Sequence, residues 1–293
     1  MLTNFALVLY IAFVWAFTFI FLKMEEADVP PITIMAGRSI IAFICLFAVS
    51  LITKKDLIGH FKHIGIFLVF AILGIVTLWL GLAFGQEYVS AGIASVMVTI
   101  TPLITFVILV FMLREEKFSI VGLIGLLIGV VGIALVVGID NILSGGATLK
   151  GVLLIGGGFA FFGINGVLVG KWAKGIDPVI TSTYYLLLAG IILTVLAFVF
   201  ESPEKISWTV DNILEELAIG VICTATGYFG YYYLIHRAGA FFSSLIFYFI
   251  PIFGMLAGFL LLSEKADISQ VVGVATIILG VYLINRQKFK KES

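Results

Sequence analysis

The stretch Thr77–Pro102, TLWLGLAFGQEYVSAGIASVMVTITP, recurs in a second version at Thr226–Pro251, TGYFGYYYLIHRAGAFFSSLIFYFIP. The matched positions keep their residue class and their spacing: Thr77, Trp79, Gly81, Ser95 and Pro102 correspond to Thr226, Tyr228, Gly230, Ser244 and Pro251. The same offset of about 149 residues aligns most of the remaining chain, so the sequence contains an internal repeat. We therefore predict two homologous units, residues 1–145 and residues 146–293, the second ending in a short basic tail.

Composition excludes a water-soluble fold. Hydrophobic residues make up 62% of the 293 residues and charged residues 12%, and the mean hydropathy is +1.22. A soluble domain averages about 45–50% apolar and about 25% charged residues. The 17 basic and 17 acidic side chains cancel, which argues against a nucleic-acid partner. The two cysteines, Cys45 and Cys223, lie in apolar runs and offer no disulfide framework or zinc-ligand spacing.

Apolar runs of about 20 residues predict transmembrane helices. The runs are Asn4–Leu22, Ile32–Ile52, Ile64–Phe84, Ser90–Leu113, Ser119–Gly138, Lys150–Lys171, Pro178–Phe200, Ile213–His236, Ala240–Leu262 and Ile268–Asn285. They lack the period-two alternation of barrel strands. The first run has no basic region before it and no small-residue cleavage site after it, so we expect a retained span rather than a signal peptide.

The distribution of basic residues predicts the orientation of these spans. If the N-terminus is cytoplasmic, the cytoplasmic basic residues are Lys54, Lys55, Lys62, Arg114, Lys117, Lys171, Lys174, Arg237, Arg286, Lys288, Lys290 and Lys291. The opposite side then holds only Lys23, Lys150, Lys205 and Lys265. We predict a multi-pass protein of the inner or plasma membrane with both termini in the cytoplasm.

An odd number of spans in each unit means that the second unit enters the membrane from the opposite side. The predicted fold class is therefore an all-α integral membrane protein with ten transmembrane helices in two inverted five-helix repeats. Inverted repeats are typical of transporters that work by alternating access around a central site. Some channels carry the same kind of duplication, so a channel remains a rival interpretation.

Several motifs, taken in order, resemble a known family. They are Gly85–Pro102, Arg114-Glu115 and the glycines 122, 125, 129 and 132 in the first unit, and Arg237-Ala-Gly239, Ser243-Ser244, Pro251, Glu264, Gly273 and Gly280 in the second. Together with Pro31-x6-Arg38, this pattern resembles an EamA-type transporter of the drug/metabolite transporter (DMT) superfamily. The resemblance implies ten helices, cytoplasmic termini, and export or exchange of amino acids or similar metabolites. Arg38 and Trp15 align with Leu186 and Gly163, so we expect the two halves to differ in function.

Arg38 is the first candidate for substrate binding. It lies about six residues inside the second span, roughly 9 Å along the helix axis. A charge at that depth is costly and usually faces a cavity or a partner. We consider two interpretations: an arginine that attracts a substrate carboxylate, and an arginine that is paired or reaches the interface.

Trp79 and Tyr228 occupy equivalent mid-span positions, where aromatic rings could line a shared cavity. With Trp15 and Arg38 they are the first candidates for such a cavity. Further candidates carry polar groups inside spans or close to their ends: Gln86, Ser95, Thr99, Asn165, Tyr185, Tyr231 and Tyr248. Helix packing is the alternative role for each of them. Pro102 and Pro251 sit in equivalent spans and are predicted to kink them, either as hinges or as static bends.

No Asp or Glu lies near the centre of a predicted span, which favours facilitated transport or exchange over proton-driven transport. A proton-coupled multidrug or cation exporter of the same superfamily is the alternative. An integral-membrane enzyme is disfavoured, because we find no catalytic constellation or cofactor motif. We expect no cofactor and no metal site. The expected partners are a small-molecule substrate and the lipid bilayer, with the oligomeric state open and a monomer compatible with the sequence.

Overall fold

The computed structural model of the chain describes residues 2–25, 28–112, 120–138, 147–243, 246–261 and 267–292. The elements in these residues are all helical, which confirms the all-α prediction. In the first half, the helical rods are α1 (Leu2–Glu25), α2 (Pro31–Ile52), α3 (Leu57–Gly85), α4 (Ala91–Met112) and α5 (Ile120–Val137). In the second half, they are α6 (Ala147–Trp172), α7 (Pro178–Phe200), α8 (Val210–Ser243), α9 (Ile246–Leu261) and α10 (Ile268–Glu292).

Seven helices in the described residues are long and apolar enough to cross a membrane. Three further apolar helices are shorter: Ile120–Val136, Phe249–Leu261 and Ile268–Gly280. The number of ten crossings therefore stays a prediction. The boundaries of the helices also differ from those of the predicted spans, because a helix can extend beyond its apolar run. The chain of helical segments in α3 begins at Leu57, before the predicted start at Ile64, and α10 extends through the basic tail to Glu292.

Three rods contain irregular segments. α3 includes a π-helical segment, Ala71–Val76, and α8 includes a second one, Ala218–Thr226. α4 is interrupted at Val98 and Thr99 and ends in a π-helical segment, Ile108–Met112. A kink at Pro102 is predicted for this span, and the break ends three residues before it. Single π-turns inside α-helices occur frequently at functional sites, because the extra residue reorients the side chains that follow.

Helices at equivalent positions of the two halves pack against equivalent partners. α2 packs along α7, and α5 packs along α10. α1 packs against α8 and α9 of the second half, while α6 packs against α3 and α4 of the first half. Exchanging the two halves therefore leaves the pattern of contacts almost unchanged. The helices around the centre of the bundle come from both halves.

Polar contacts tie α2 to α7 at both ends. At the start of α2, the Glu201 carboxylate accepts hydrogen bonds from the backbone N–H groups of Ile32 (2.8 Å) and Thr33 (2.7 Å). At the other end, Lys55 donates to Asp177 across 2.5 Å, and Asp177 caps α7 by accepting from the N–H of Val179. Partial burial alone would raise the pKa of Asp177, but the bonds from Lys55 and Val179 outweigh it, and the pKa is lowered.

Glycines allow several helices to approach to backbone contact. A Cβ atom on Gly81 of α3 would lie 2.5 Å from the Leu154 carbonyl oxygen of α6. On α10, a Cβ atom on Gly280 would lie 2.6 Å from the Gly125 carbonyl oxygen and from the Gly129 nitrogen of α5. Such close approach is how small residues stabilise helix pairs in membranes, where no hydrophobic effect acts between helices.

Gly280→Ala is therefore expected to destabilise the α5–α10 pair, because the new methyl group meets backbone atoms that can move only with their helix. We expect a loss of about 1–3 kcal/mol, the usual cost of overpacking, seen as a lower midpoint of thermal unfolding in detergent. The matched control is Gly170→Ala, since a Cβ there meets nothing within 4 Å. An unchanged midpoint for Gly280→Ala would contradict the close contact.

Candidate functional site

A cavity lies at the centre of the bundle, between helices of both halves. It contains about 410 Å³ of space not filled by atoms, part of it open to the outside. Aromatic side chains from α1, α3, α6, α8 and α9 form most of its wall: Trp15, Phe19, Trp79, Phe159, Phe162, Tyr228 and Phe247. Arg38 of α2 carries the only formal charge among the described residues that line it. The cavity is thus an apolar, aromatic site with one cationic group.

Arg38 is 2% exposed and is held by contacts to three helices. Its Nε donates to the Thr224 hydroxyl across 3.0 Å, and its Nη1 lies 3.9 Å from the Met35 sulfur. The guanidinium carbon sits 4.3 Å from the ring centroid of Trp79, a cation–π geometry. No carboxylate in the described part of the chain lies within ion-pairing distance of it. A planar group with unused donors in a cavity is suited to bind a carboxylate in a bidentate way.

Tyr228 lies at the junction of the aromatic wall. Its ring centroid is 5.5 Å from that of Trp15, 6.1 Å from that of Trp79 and 6.5 Å from that of Phe162. Tyr231 packs 5.3 Å from Trp15 on the same face of α8. Aromatic pairs at these separations and tilts stabilise one another beyond the area they bury. The predicted candidates Trp15, Arg38, Trp79 and Tyr228 therefore meet in one cavity.

The π-helical segments of α3 and α8 end shortly before the two matched aromatic residues. Ala71–Val76 leads into Trp79, and Ala218–Thr226 leads into Tyr228. Within the second segment, the Thr224 hydroxyl donates to the carbonyl of Ile219, five residues earlier, at 2.8 Å. Thr224 thereby joins the wider helical turn to Arg38. The local backbone geometry of α3 and α8 fixes where the central rings point.

Other predicted candidates form tertiary contacts outside the cavity wall. The Gln86 amide donates to the Phe19 carbonyl at 3.1 Å, and the Lys23 ammonium donates to the Gln86 carbonyl, so both residues join α1 to α3. The Asn165 amide donates to the Tyr185 hydroxyl at 3.1 Å. Tyr185 in turn lies 5.7 Å, ring to ring, from Tyr228. Tyr185 and Asn165 therefore support the aromatic wall from behind.

The hydroxyl candidates of α4 bond within their own helix: Ser95 donates to the Gly92 carbonyl and Thr99 to the Val96 carbonyl, each at 2.7 Å. The side chain of Tyr248 lies outside the described residues, as do Glu115 and Glu264 of the repeated motif.

The matched prolines behave differently from one another. Pro102 falls in the first turn after the break at Val98 and Thr99, whereas α9 continues through Pro251. A proline cannot donate to the carbonyl four residues earlier, and those residues, Val98 and Phe247, both line the cavity.

Sequence reasoning missed several important residues. Phe162 and Phe247 line the cavity but are ordinary apolar residues in apolar runs, with no signal to distinguish them. Glu25 and Glu216, which the sequence assigns to span ends, are 0% and 4% exposed. Their burial results from the packing of α1, α2 and α8, and no local sequence pattern indicates it.

Comparisons with known proteins agree with this architecture. The sequence model of the EamA-like transporter family matches residues 3–138 and again residues 149–286. The transporter YoaV of Bacillus subtilis, whose name calls it uncharacterised, is 24% identical over 94% of this chain and 94% of its own length. The similarly named YvbV of the same organism is 28% identical over 95% of this chain and 90% of its own. A crystal structure with 14% identity and a TM-score of 0.71 covers 99% of both chains and has the same fold.

Proposed function

Because the chain belongs to the EamA-like transporter family, we propose that it is a permease for amino acids or closely related small carboxylates. It is a multi-pass membrane protein, and the names of its relatives indicate a transporter rather than an enzyme. The substrate binds in the central cavity and crosses the membrane by alternating access. Arg38 attracts its carboxylate, and the rings of Trp15, Trp79 and Tyr228 pack against its apolar part.

One observation carries this proposal: a buried guanidinium stacked 4.3 Å over Trp79 in an aromatic cavity. An arginine at this depth needs a compensating anion, and among the described residues its one hydrogen-bonded oxygen partner is the neutral hydroxyl of Thr224. An amino acid supplies both a carboxylate for the arginine and a side chain for the rings. A cavity with these features fits a small amphiphilic anion or zwitterion better than an inorganic ion.

The architecture supports alternating access. We propose that residues 1–145 and 146–293 are inverted five-helix repeats that together cross the membrane ten times. Two separate matches to one family model and the interchangeable packing of the two halves both support this. A cavity walled by both halves can then open to either side as the halves exchange their conformations. The break in α4 next to Pro102 is a candidate hinge.

The proposed orientation places both termini in the cytoplasm of a cell bounded by this membrane, and it predicts opposite accessibility for Lys62 and Lys205. Both side chains are exposed. A membrane-impermeant maleimide applied to intact cells should label Lys205→Cys, and it should label Lys62→Cys only after permeabilisation. The unmodified chain, with its native Cys45 and Cys223, gives the background. The reverse labelling pattern would contradict the orientation.

The rival function is export of organic cations in exchange for protons. Such an exporter needs an anionic group at its substrate site, and the described residues that line the cavity include no carboxylate. The two functions differ in the substrates they move, so a transport assay separates them.

The deciding experiment reconstitutes the full chain in liposomes and measures counterflow of a panel of labelled amino acids, with labelled organic cations as the rival panel. Saturable counterflow of an amino acid, absent from protein-free liposomes, is the expected result. Movement of cations alone would overturn the substrate class, and unsaturable flux would favour a channel.

A further inference from the structure

Two buried carboxyl groups interact with Arg38 from different helices and from distant positions in the sequence. Glu25 is the last residue of α1 and is 0% exposed, and Glu216 lies on α8 and is 4% exposed. The burial of both residues follows from helix packing, since α1 and α8 pack against each other and α8 packs against α2. In a chain with so few charged residues, two fully buried acids require an explanation.

The two carboxyl groups face each other within hydrogen-bonding reach. No side-chain donor in the described residues hydrogen-bonds to any of their four oxygens, and the backbone N–H of Arg38 is the donor that lies near Glu216. Gly37 of α2 makes room for the Glu216 carboxyl, because a side chain at that position would overlap its Oε1 atom. The pair therefore occupies a pocket shaped by three helices, yet it lacks the donors that two carboxylates would need.

Physical chemistry restricts the protonation of such a pair. Two carboxylates in contact in a medium of low dielectric constant repel each other strongly, and each also loses its hydration. A single proton removes both problems, because the protonated carboxyl then donates to its partner. Sharing of one proton by two adjacent carboxyl groups is an established arrangement in proteins.

Among the described residues, Arg38 is the cation whose charge acts on both members of this pair. Its charge interacts with both Glu25 and Glu216, and the side chains of Tyr228 and Cys223 flank the guanidinium. Glu215, which is partly exposed, also acts on Glu25, and Asp211 and Asp28 act in turn on Glu215. Arg38 thus stands between the two carboxyl groups and the aromatic cavity, where it can respond to both.

We propose that Glu25 and Glu216 form a proton-binding site that is coupled, through Arg38, to the binding of a substrate carboxylate. In the empty cavity, the pair holds one proton and one negative charge, which balances Arg38. When a substrate carboxylate binds Arg38, the pair takes a second proton from water and becomes neutral. In both states Arg38, the pair and the substrate carboxylate together carry no net charge, which an environment of low dielectric constant strongly favours.

This site rests on the proposed function and specifies its energy coupling. Proton and substrate bind together, so linkage requires each to raise the affinity for the other. One proton crosses with each substrate and returns to water when the substrate leaves on the opposite side. The expectation of facilitated transport depended on the absence of buried acids from the predicted spans. With Glu25 and Glu216 buried beside Arg38, that argument no longer holds.

The protonated pair can be detected without any substrate. We would record the infrared carbonyl band of protonated carboxyl groups in the full chain in lipid at neutral pH, for the wild type, Glu25→Gln, Glu216→Gln and the exposed control Glu204→Gln. The wild type and Glu204→Gln should show the band of a buried, protonated carboxyl. Each of the other variants should lose it, because the remaining carboxylate then balances Arg38 alone. Its absence from the wild type, or its persistence in Glu25→Gln or Glu216→Gln, would overturn the shared proton.

Coupling is tested with whichever amino acid gives counterflow. At zero membrane potential, a pH difference of one unit should drive accumulation of this substrate in liposomes with the wild type or Glu204→Gln. The expected ratio of internal to external substrate is about ten, the value for one proton per substrate. The double variant Glu25→Gln/Glu216→Gln should retain counterflow and lose this accumulation. Counterflow in the wild type without any response to the pH difference would refute the coupling and leave the permease intact. If no amino acid showed counterflow, the proposed function would fail, and the infrared band alone would decide whether the proton site exists.

Discussion

Replacing Arg38 with methionine is expected to reduce amino-acid counterflow by roughly 150-fold. Loss of one partner from a desolvated charge pair costs about 2–5 kcal/mol, and about 3 kcal/mol corresponds to this factor. Because Arg38 contacts the substrate carboxylate in our proposal, the loss should appear as weaker binding, with a raised half-saturation concentration.

Methionine is a suitable replacement because it is long, apolar and adaptable, and it leaves little empty space beside Trp79 and Met35. Without Arg38, the Glu25–Glu216 pair can take up its second proton, so no unpaired charge stays buried and we expect the protein to remain folded. Arg38→Lys should be intermediate, since it keeps the charge but loses the planar stack on Trp79.

Arg237→Met is the matched control. Arg237 also lies near a ring, 5.8 Å from the centroid of Tyr233, but it is exposed and distant in sequence from the cavity residues of α2. The Arg237→Met variant should transport at the wild-type rate. Wild-type counterflow in Arg38→Met, with the protein verified as folded, would make Arg38 a structural residue and remove the basis for a carboxylate substrate.

How far the sequence predicts this molecule depends on the kind of information that each feature requires. Helices and their approximate bounds follow from apolar runs, because the bilayer imposes one length and one hydrogen-bonding solution on every span. The candidate cavity residues Trp79 and Tyr228 could be chosen because the internal repeat places them at equivalent positions. Their meeting across a ring distance of 6.1 Å required the structure.

Glu25 and Glu216 illustrate what sequence could not supply. A charged residue after an apolar run normally marks the end of a span, and that rule places both residues at the membrane surface. Whether such a residue faces water or another helix depends on contacts with residues almost two hundred positions away. Gln86 and Asn165 are similar: their residue type requires a hydrogen-bond partner but does not identify Phe19 or Tyr185 as that partner.

Trp79→Ala is expected to have the second large effect on transport, because Trp79 positions Arg38 and also walls the cavity. A desolvated cation–π contact is worth about 2 kcal/mol, so its loss alone predicts a roughly 30-fold weaker interaction with substrate. Truncating a buried tryptophan also costs about 3–5 kcal/mol of stability. Transport must therefore be normalised to the amount of folded protein in the liposomes.

The more informative variant is Trp79→Phe, which keeps a ring beneath Arg38 and creates a smaller void. If the ring acts by stacking on the guanidinium, Trp79→Phe should retain most of the counterflow that Trp79→Ala loses. Trp208→Phe is the matched control, since Trp208 is 42% exposed in the connection before α8. This variant should transport normally. Equal losses in Trp79→Phe and Trp79→Ala would mean that the cavity requires the full indole shape. In that case the aromatic wall, rather than the cation–π contact with Arg38, would determine which substrates fit.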